Sequence, residues 1–292
     1  MTAAPADAQI IGARAVGAIV VALLLTAAWL WVGAMPVATL AERWSTSAVA
    51  AEALFTLLVF APILLLAMLF GRIARVSVLA PGGQPLRSAA IGAGVGFAAL
   101  ALATGYLALA GTLRLGAPVS ATWVLPGVLV IGFQVLAEET LFRGLVQPVL
   151  VSRLGALVAV AITAAAFAGL HLAAAGAGGV GLLNLFLGGL LFGTLAWRGQ
   201  GIAAAWAAHA AWNVAEQLLF GLDPNPGSGA FGAWWNLDAI GSARWGGSAE
   251  GLNASWAMCL ALLAVTLPRV LPLLRARRTV AVDHVAPRAK TR

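Results

Sequence analysis

The chain has 292 residues, 62% of them hydrophobic and only 9% charged, with a mean hydropathy of +0.97. A soluble domain carries about 25% charged residues, so composition excludes a soluble fold. The net charge of +7 is arginine flanking apolar segments plus a basic C-terminus, which excludes nucleic acid as a partner and names the lipid bilayer instead.

Eight apolar segments follow one another, near 15–35, 53–71, 88–112, 121–150, 155–173, 180–197, 201–220 and 252–274. They are too long for strands, and lipid admits only helices and closed barrels across its core. The expected fold class is therefore all-α: a polytopic integral membrane helical bundle of about eight transmembrane helices. Arg14 before the first apolar run has the look of a signal peptide; its length and the seven spans that follow favour a membrane anchor. The fourth segment exceeds what a span needs, so its C-terminal part is expected to leave the bilayer core. Pro148 predicts a kink or an end there. The glycine-rich stretch 174–181 is a candidate to dip into the bilayer, which is allowed where backbone lines a wet cavity. GGLLFG (188–193) reads as close helix packing. The long loop 221–251 carries Trp234, Trp235 and Trp245, expected at headgroup level. The single cysteine, Cys259, excludes an internal disulfide framework and reads as a small buried hydrophobe.

Under this eight-span topology one side collects Arg14, Arg72, Arg75, Arg87, Arg143, Arg153, Arg198 and the basic tail, while the other receives Arg43, Arg114 and Arg244. The positive-inside rule then predicts a multi-pass protein of the cell membrane with both termini cytoplasmic and the tryptophan loop outside.

The ten acidic residues make the adjacent pair Glu138 and Glu139 conspicuous, because an ionisable group inside a span is costly and marks a functional site by default. The two point about 100° apart on a helix. Glu139 is four residues before Arg143 and can pair with it, which leaves Glu138 as the freer carboxylate and candidate general base. His171 ends FAGLH and His209 opens HAAWN; the third histidine, His284, lies in the tail. Phe167 is placed to pack under His171. Asn213, four residues after His209, offers an amide donor of the kind an oxyanion site needs. The turn between the fourth and fifth segments falls near Ser152–Gly155. Glu138 lies about as far before it as His171 lies after it, so an antiparallel hairpin levels them. Glu138, His171, His209 and Asn213 are expected on one wet cavity between the fourth, fifth and seventh helices. Simple up-and-down helices do not level all of them, because His171 is near the end of its helix and His209 only two to three turns into its own. Glu216, two turns beyond His209, is a candidate site wall or cavity-mouth charge.

These pieces resemble a known family. EETLFRG, FAGLH and HAAWN match the E-E-x-x-x-R, F-x-x-x-H and H-x-x-x-N/D motifs of the type II CAAX prenyl endopeptidase and bacteriocin-processing family, also called CPBP or Abi. The order is the same and all seven motif positions are filled. The resemblance covers roughly residues 120–220, which divides the chain into N-terminal transmembrane helices (1–119), a protease core (120–220), and the outer loop, last helix and cytoplasmic tail (221–292). It implies an eight-helix fold and endopeptidase action on a peptide or protein substrate at the membrane. By resemblance, Glu138 activates water with His171, Glu139 and Arg143 hold the first motif, and His209 with Asn213 stabilises the oxyanion. The family is widely described as metalloproteases, and Glu138, His171 and His209 would make a reasonable zinc shell. The compact H-E-x-x-H motif is missing, however, and a metal-free glutamate–histidine pair explains the same residues. Two other readings stand beside the endopeptidase: a non-catalytic immunity or accessory protein of the same family, and a proton-coupled transporter, since buried carboxylates and histidines also build proton relays.

Overall fold

Lipid offers a backbone no partner but itself, so apolar runs of this length close their hydrogen bonds internally as helices. The computed structural model describes residues 6–175, 178–225 and 229–283. His284 and the end of the basic tail lie outside the described residues, as do positions 176 and 177 of the glycine-rich stretch.

The helices are α1 (Ala6–Trp44), α2 (Ala48–Ala74), α3 (Pro85–Leu109), α4 (Val124–Glu139), α5 (Gln147–Leu154), α6 (Ala156–Ala175), α7 (Gly179–Gly199), α8 (Ala203–Val214) and α9 (Trp256–Asp283). Six stretches are long and apolar enough to cross a membrane, and α6 adds a shorter apolar helix, Ala156–Leu172. The chain is an all-α, multi-pass membrane bundle. The expected count of eight spans is approximate: the seventh, 201–220, is α8 followed by a π-helical turn, Ala215–Leu219, and is not among the six.

Local sequence explains where the helices begin and stop. Ser47 caps α2 by accepting from the Ala50 N–H at 3.2 Å, and Pro85 occupies the first turn of α3, where its missing N–H costs nothing. Gly155, with φ of 75°, makes the turn between α5 and α6, within the expected Ser152–Gly155. Pro148 does not end the helix. Residues Val124–Leu154 form one apolar helical run, and the adjustment occurs just before the proline. Thr140–Val146 is π-helical, and the Gln147 N–H reaches back to the Phe142 carbonyl. The wider π turn is a way to absorb a residue that disturbs the regular ladder, and such turns recur at functional sites.

Two large cores hold the bundle. The first joins α3, α7, α8 and α9 through residues such as Leu100, Leu191, Ala205 and Met258, and it includes Cys259, buried as expected. The second joins α1 and α2 to the π segment, α5 and α6 through Ile19, Ile63, Leu145 and Phe167. Close approach between α3 and α8 depends on glycine. A Cβ on Gly92 would lie 2.1 Å from the Ala204 carbonyl oxygen, and one on Gly96 would lie 2.0 Å from that of Ala208. This is small-residue packing at four-residue spacing, the arrangement that lets membrane helices meet without a hydrophobic driving force. Gly96→Leu is therefore expected to push α8 outward and lower the yield of folded protein. Size-exclusion profiles in detergent measure this, and a wild-type profile would show that the two backbones can separate freely.

The loop 221–251 is not wholly irregular. Leu222–Asp223 (β2) and Leu237–Ala239 (β3) join Leu113–Leu115 (β1) in a three-stranded sheet of order β1-β3-β2, antiparallel between β1 and β3 and parallel between β3 and β2. Strands this short carry no readable alternation, so the sequence reading missed them. Trp234 and Trp235 are exposed, as a headgroup position requires. Trp245 instead packs against the first core.

Candidate active site

Glu138 and Glu139 stand on the last turn of α4 and diverge as helical geometry demands. Glu138 faces a cavity of about 480 Å³. Glu139, fully buried, turns behind it. Arg143 Nη1 donates to Glu139 Oε1 at 2.8 Å, the pair that the four-residue spacing predicted. The guanidinium also donates from Nη2 to the Gly189 carbonyl at 3.1 Å. It lies 4.8 Å from the Phe167 ring centroid and 5.5 Å from that of Phe192. Arg143 thus ties α4 to α6 and α7 by charge, hydrogen bond and aromatic faces.

His209 on α8 meets the same carboxylate. Its Nδ1 is 2.9 Å from Glu139 Oε1, so an ionised Glu139, an acceptor only, makes Nδ1–H the donor. The ring lies flat on Phe192, with centroids 4.6 Å apart and planes at 15°. Its Nε2 then points to Glu138 Oε2 at 3.9 Å. That distance exceeds a direct hydrogen bond. Glu138 Oε1 accepts from Gln134 Nε2 at 3.3 Å; Oε2 has no hydrogen-bond partner among the described residues.

His171 on α6 is oriented by its own helix. The Phe167 carbonyl lies 2.8 Å from Nδ1 and can only accept, which places the proton on Nδ1 and leaves Nε2 as an acceptor. The Phe167 ring lies 4.4 Å from the imidazole, the packing role expected for it.

Glu138, His171, His209 and Asn213 all line the one cavity. Glu139 and Arg143 stand behind its wall rather than on it. The walls are more than the three expected helices. Asn184 and Phe192 of α7, Met258 of α9, and Asn225, Glu250 and Asn253 of the segment between α8 and α9 also line it. Glu216, offered by the sequence as a wall or a mouth charge, is a wall. It is buried, lines the cavity and accepts from Asn253 Nδ2 at 2.8 Å. This strap is fixed further by Asn184 Nδ2, which donates to the carbonyls of Asn253 at 3.0 Å and Ser255 at 2.9 Å. GGLLFG packs closely as expected: a Cβ on Gly189 would meet Ala164 Cα at 2.8 Å, and one on Gly193 would meet Gln147 Oε1 at 2.9 Å. The carbonyls of these two glycines also accept from Arg143 and Gln147.

The donor set suits a metal in kind, since each histidine anchors Nδ1 and offers Nε2. The spacing does not: among the described residues no three His, Cys, Asp or Glu side chains come together in an arrangement that could hold a metal ion.

Fold and cavity together define a polytopic helical membrane protein with a buried carboxylate–imidazole centre. Residues 118–215, about a third of the chain, match the family described as Type II CAAX prenyl endopeptidase Rce1-like, the family that the three motifs resemble. Comparison with curated proteins and with solved structures returns no match.

Proposed function

We propose that the protein is an intramembrane endopeptidase in which Glu138 and His209 activate water. The observation that carries this reading is the facing of Glu138 Oε2 and His209 Nε2 across 3.9 Å, at a cavity that also presents His171 and Asn213. With Nδ1–H given to Glu139, Nε2 is an acceptor, and so is the carboxylate. Two acceptors at this separation are satisfied by one water donating a hydrogen to each, which turns its lone pairs outward. That is the geometry of a nucleophile.

The reaction follows from these groups. As the water oxygen bonds to the scissile carbonyl carbon, Glu138 takes its proton. The tetrahedral oxyanion is met by the Asn213 amide, a donor of the type that stabilises developing charge. Glu138 then hands its proton to the amide nitrogen, the C–N bond breaks, and the new carboxyl group gives up its remaining proton to the amine, so that a carboxylate and an ammonium leave. Glu139 and Arg143 hold the His209 ring in its tautomer, and His171 offers Nε2 as an acceptor that relays the carboxyl proton to the amine. This reading moves His209 from oxyanion donor to partner of the attacking water. This route uses no zinc; the spacing of Glu138, His171 and His209 is what favours it over a metal-assisted one. Prenylated CAAX peptides are the substrate class that the family's name suggests; the cavity itself selects for a peptide segment able to reach its polar floor. The surplus of arginine on one side supports a cell-membrane orientation with both termini cytoplasmic.

Protein reconstituted in vesicles and given a membrane-tethered peptide in ¹⁸O-water is expected to yield two fragments, with the label in the new carboxylate. Intact peptide would remove the protease reading in favour of an accessory protein, and proton flux without cleavage would establish a transporter. Cleavage is also expected to survive exhaustive dialysis against EDTA; loss of activity restored by added zinc would overturn the metal-free route.

A further inference from the structure

A second cavity lies apart from the acid–imidazole centre, at an end of the bundle. It has a volume of about 710 Å³ and is lined by Arg87, Arg198 and Arg269, with Gln84, Ser88 and Gln200 between them. The arginines come from three different elements: the start of α3, the last turn of α7, and α9. No carboxylate lines this cavity, and none of the three arginines is ion-paired among the described residues. Arg198 and Arg269 are near enough for their charges to repel. Arg269 is held in place by a hydrogen bond from Nη1 to the Val265 carbonyl, and Arg87 Nη1 donates to Gln84 Oε1 at 3.1 Å. Three cations gathered without a counter-charge are unfavourable unless an anion joins them.

Their level in the bundle says which anion. Arg87 is two residues into the apolar helix Pro85–Leu109, Arg198 is one residue from the end of Gly179–Gly199, and Arg269 is five from the end of Trp256–Leu274. All three therefore stand where spans meet the interface, the depth of lipid phosphates. Leu195, Ile91 and Pro268 complete the wall, an apolar side suited to the upper part of an acyl chain. Guanidinium groups match phosphate oxygens with two parallel donors each, and basic pockets between membrane helices suit lipid headgroups.

We infer that Arg87, Arg198 and Arg269 form a binding site for the phosphate of an anionic phospholipid. The site is separate from the acid–imidazole centre, and the inference stands whether or not the protein is a protease.

The test uses the full chain in vesicles or nanodiscs of phosphatidylcholine with or without phosphatidylglycerol. The wild type is expected to melt a few degrees higher with phosphatidylglycerol and to retain it through delipidation, as intact-protein mass spectrometry would show. Arg198→Gln combined with Arg269→Gln should lose both effects, while the Lys counterparts keep most of the stabilisation. Should the double variant fold poorly, Arg87→Gln, at an exposed position, should by itself reduce lipid retention. Equal melting in the two lipid mixtures, or a phosphatidylglycerol shift that persists in the glutamine variants, would overturn the site. An equivalent shift from inorganic phosphate in pure phosphatidylcholine would show that it takes free phosphate rather than lipid.

Discussion

Replacing Glu138 by glutamine is expected to reduce peptide cleavage by about 10²–10⁴-fold, the usual cost of losing a general base, while the protein stays folded. Glutamine keeps the size of the side chain and can retain the contact with Gln134. It cannot take a proton from water. It also puts either an amide donor or a poor acceptor opposite His209 Nε2, so the shared water is lost. Cleavage rates in vesicles, together with an unchanged melting temperature, would establish the assignment. Turnover within a few-fold of wild type would exclude Glu138 as the base and move the role to one of the imidazoles.

Arg143→Ala is expected to cost stability first and activity as a consequence. The guanidinium is buried, pairs with Glu139, bonds the Gly189 carbonyl and lies against the faces of Phe142, Phe167 and Phe192. Truncating it leaves Glu139 as an uncompensated charge in a membrane interior, an effect of about 3–5 kcal/mol for a broken buried pair. The damage should spread to His209, because Glu139 Oε1 serves both partners. Thermal unfolding in detergent measures the loss. Lys at this position should recover only part of it, since an ammonium lacks the planar fork that reaches Glu139 and Gly189 together. An Ala variant that melts with the wild type would show that water reaches the pair.

Much of this centre was legible in the sequence where a single helix decides the geometry. Adjacent glutamates must diverge, and Glu139 must fall beside Arg143. The hairpin at Gly155 brings α4 and α6 back on themselves, which is why equal counting from the turn put Glu138 and His171 on one cavity. Gln134 was equally readable, four residues before Glu138, and was passed over because an amide in an apolar run attracts less notice than a charge. The contact between Glu139 and His209 spans 70 residues and depends on how α8 is rotated against α4, which one sequence does not encode locally. The difficulty of levelling His171 with His209 also dissolves in three dimensions: both imidazoles line the one cavity and lie 4.4 and 5.9 Å from the Phe167 ring centroid. The strap through Asn253 and the short strands escaped notice because their order comes from partners far along the chain, Asn184 and Leu113–Leu115, rather than from periodicity.

The contact of Gly92 and Gly96 with the backbone of α8 has a consequence for what counts as a unit of this protein. His209 sits one residue after Ala208, whose carbonyl is where a Cβ on Gly96 would fall. The helix that presents an essential-looking imidazole to the cavity therefore takes its position from α3, which lies before the matched segment 118–215. That segment thus packs, through α8, against a helix that lies outside it. Cut out by itself, it would leave Ala204 and Ala208 facing lipid with nothing to set the rotation of α8. Transplanting its motifs into another bundle would carry over the letters of the site without the helix that gives them their angle.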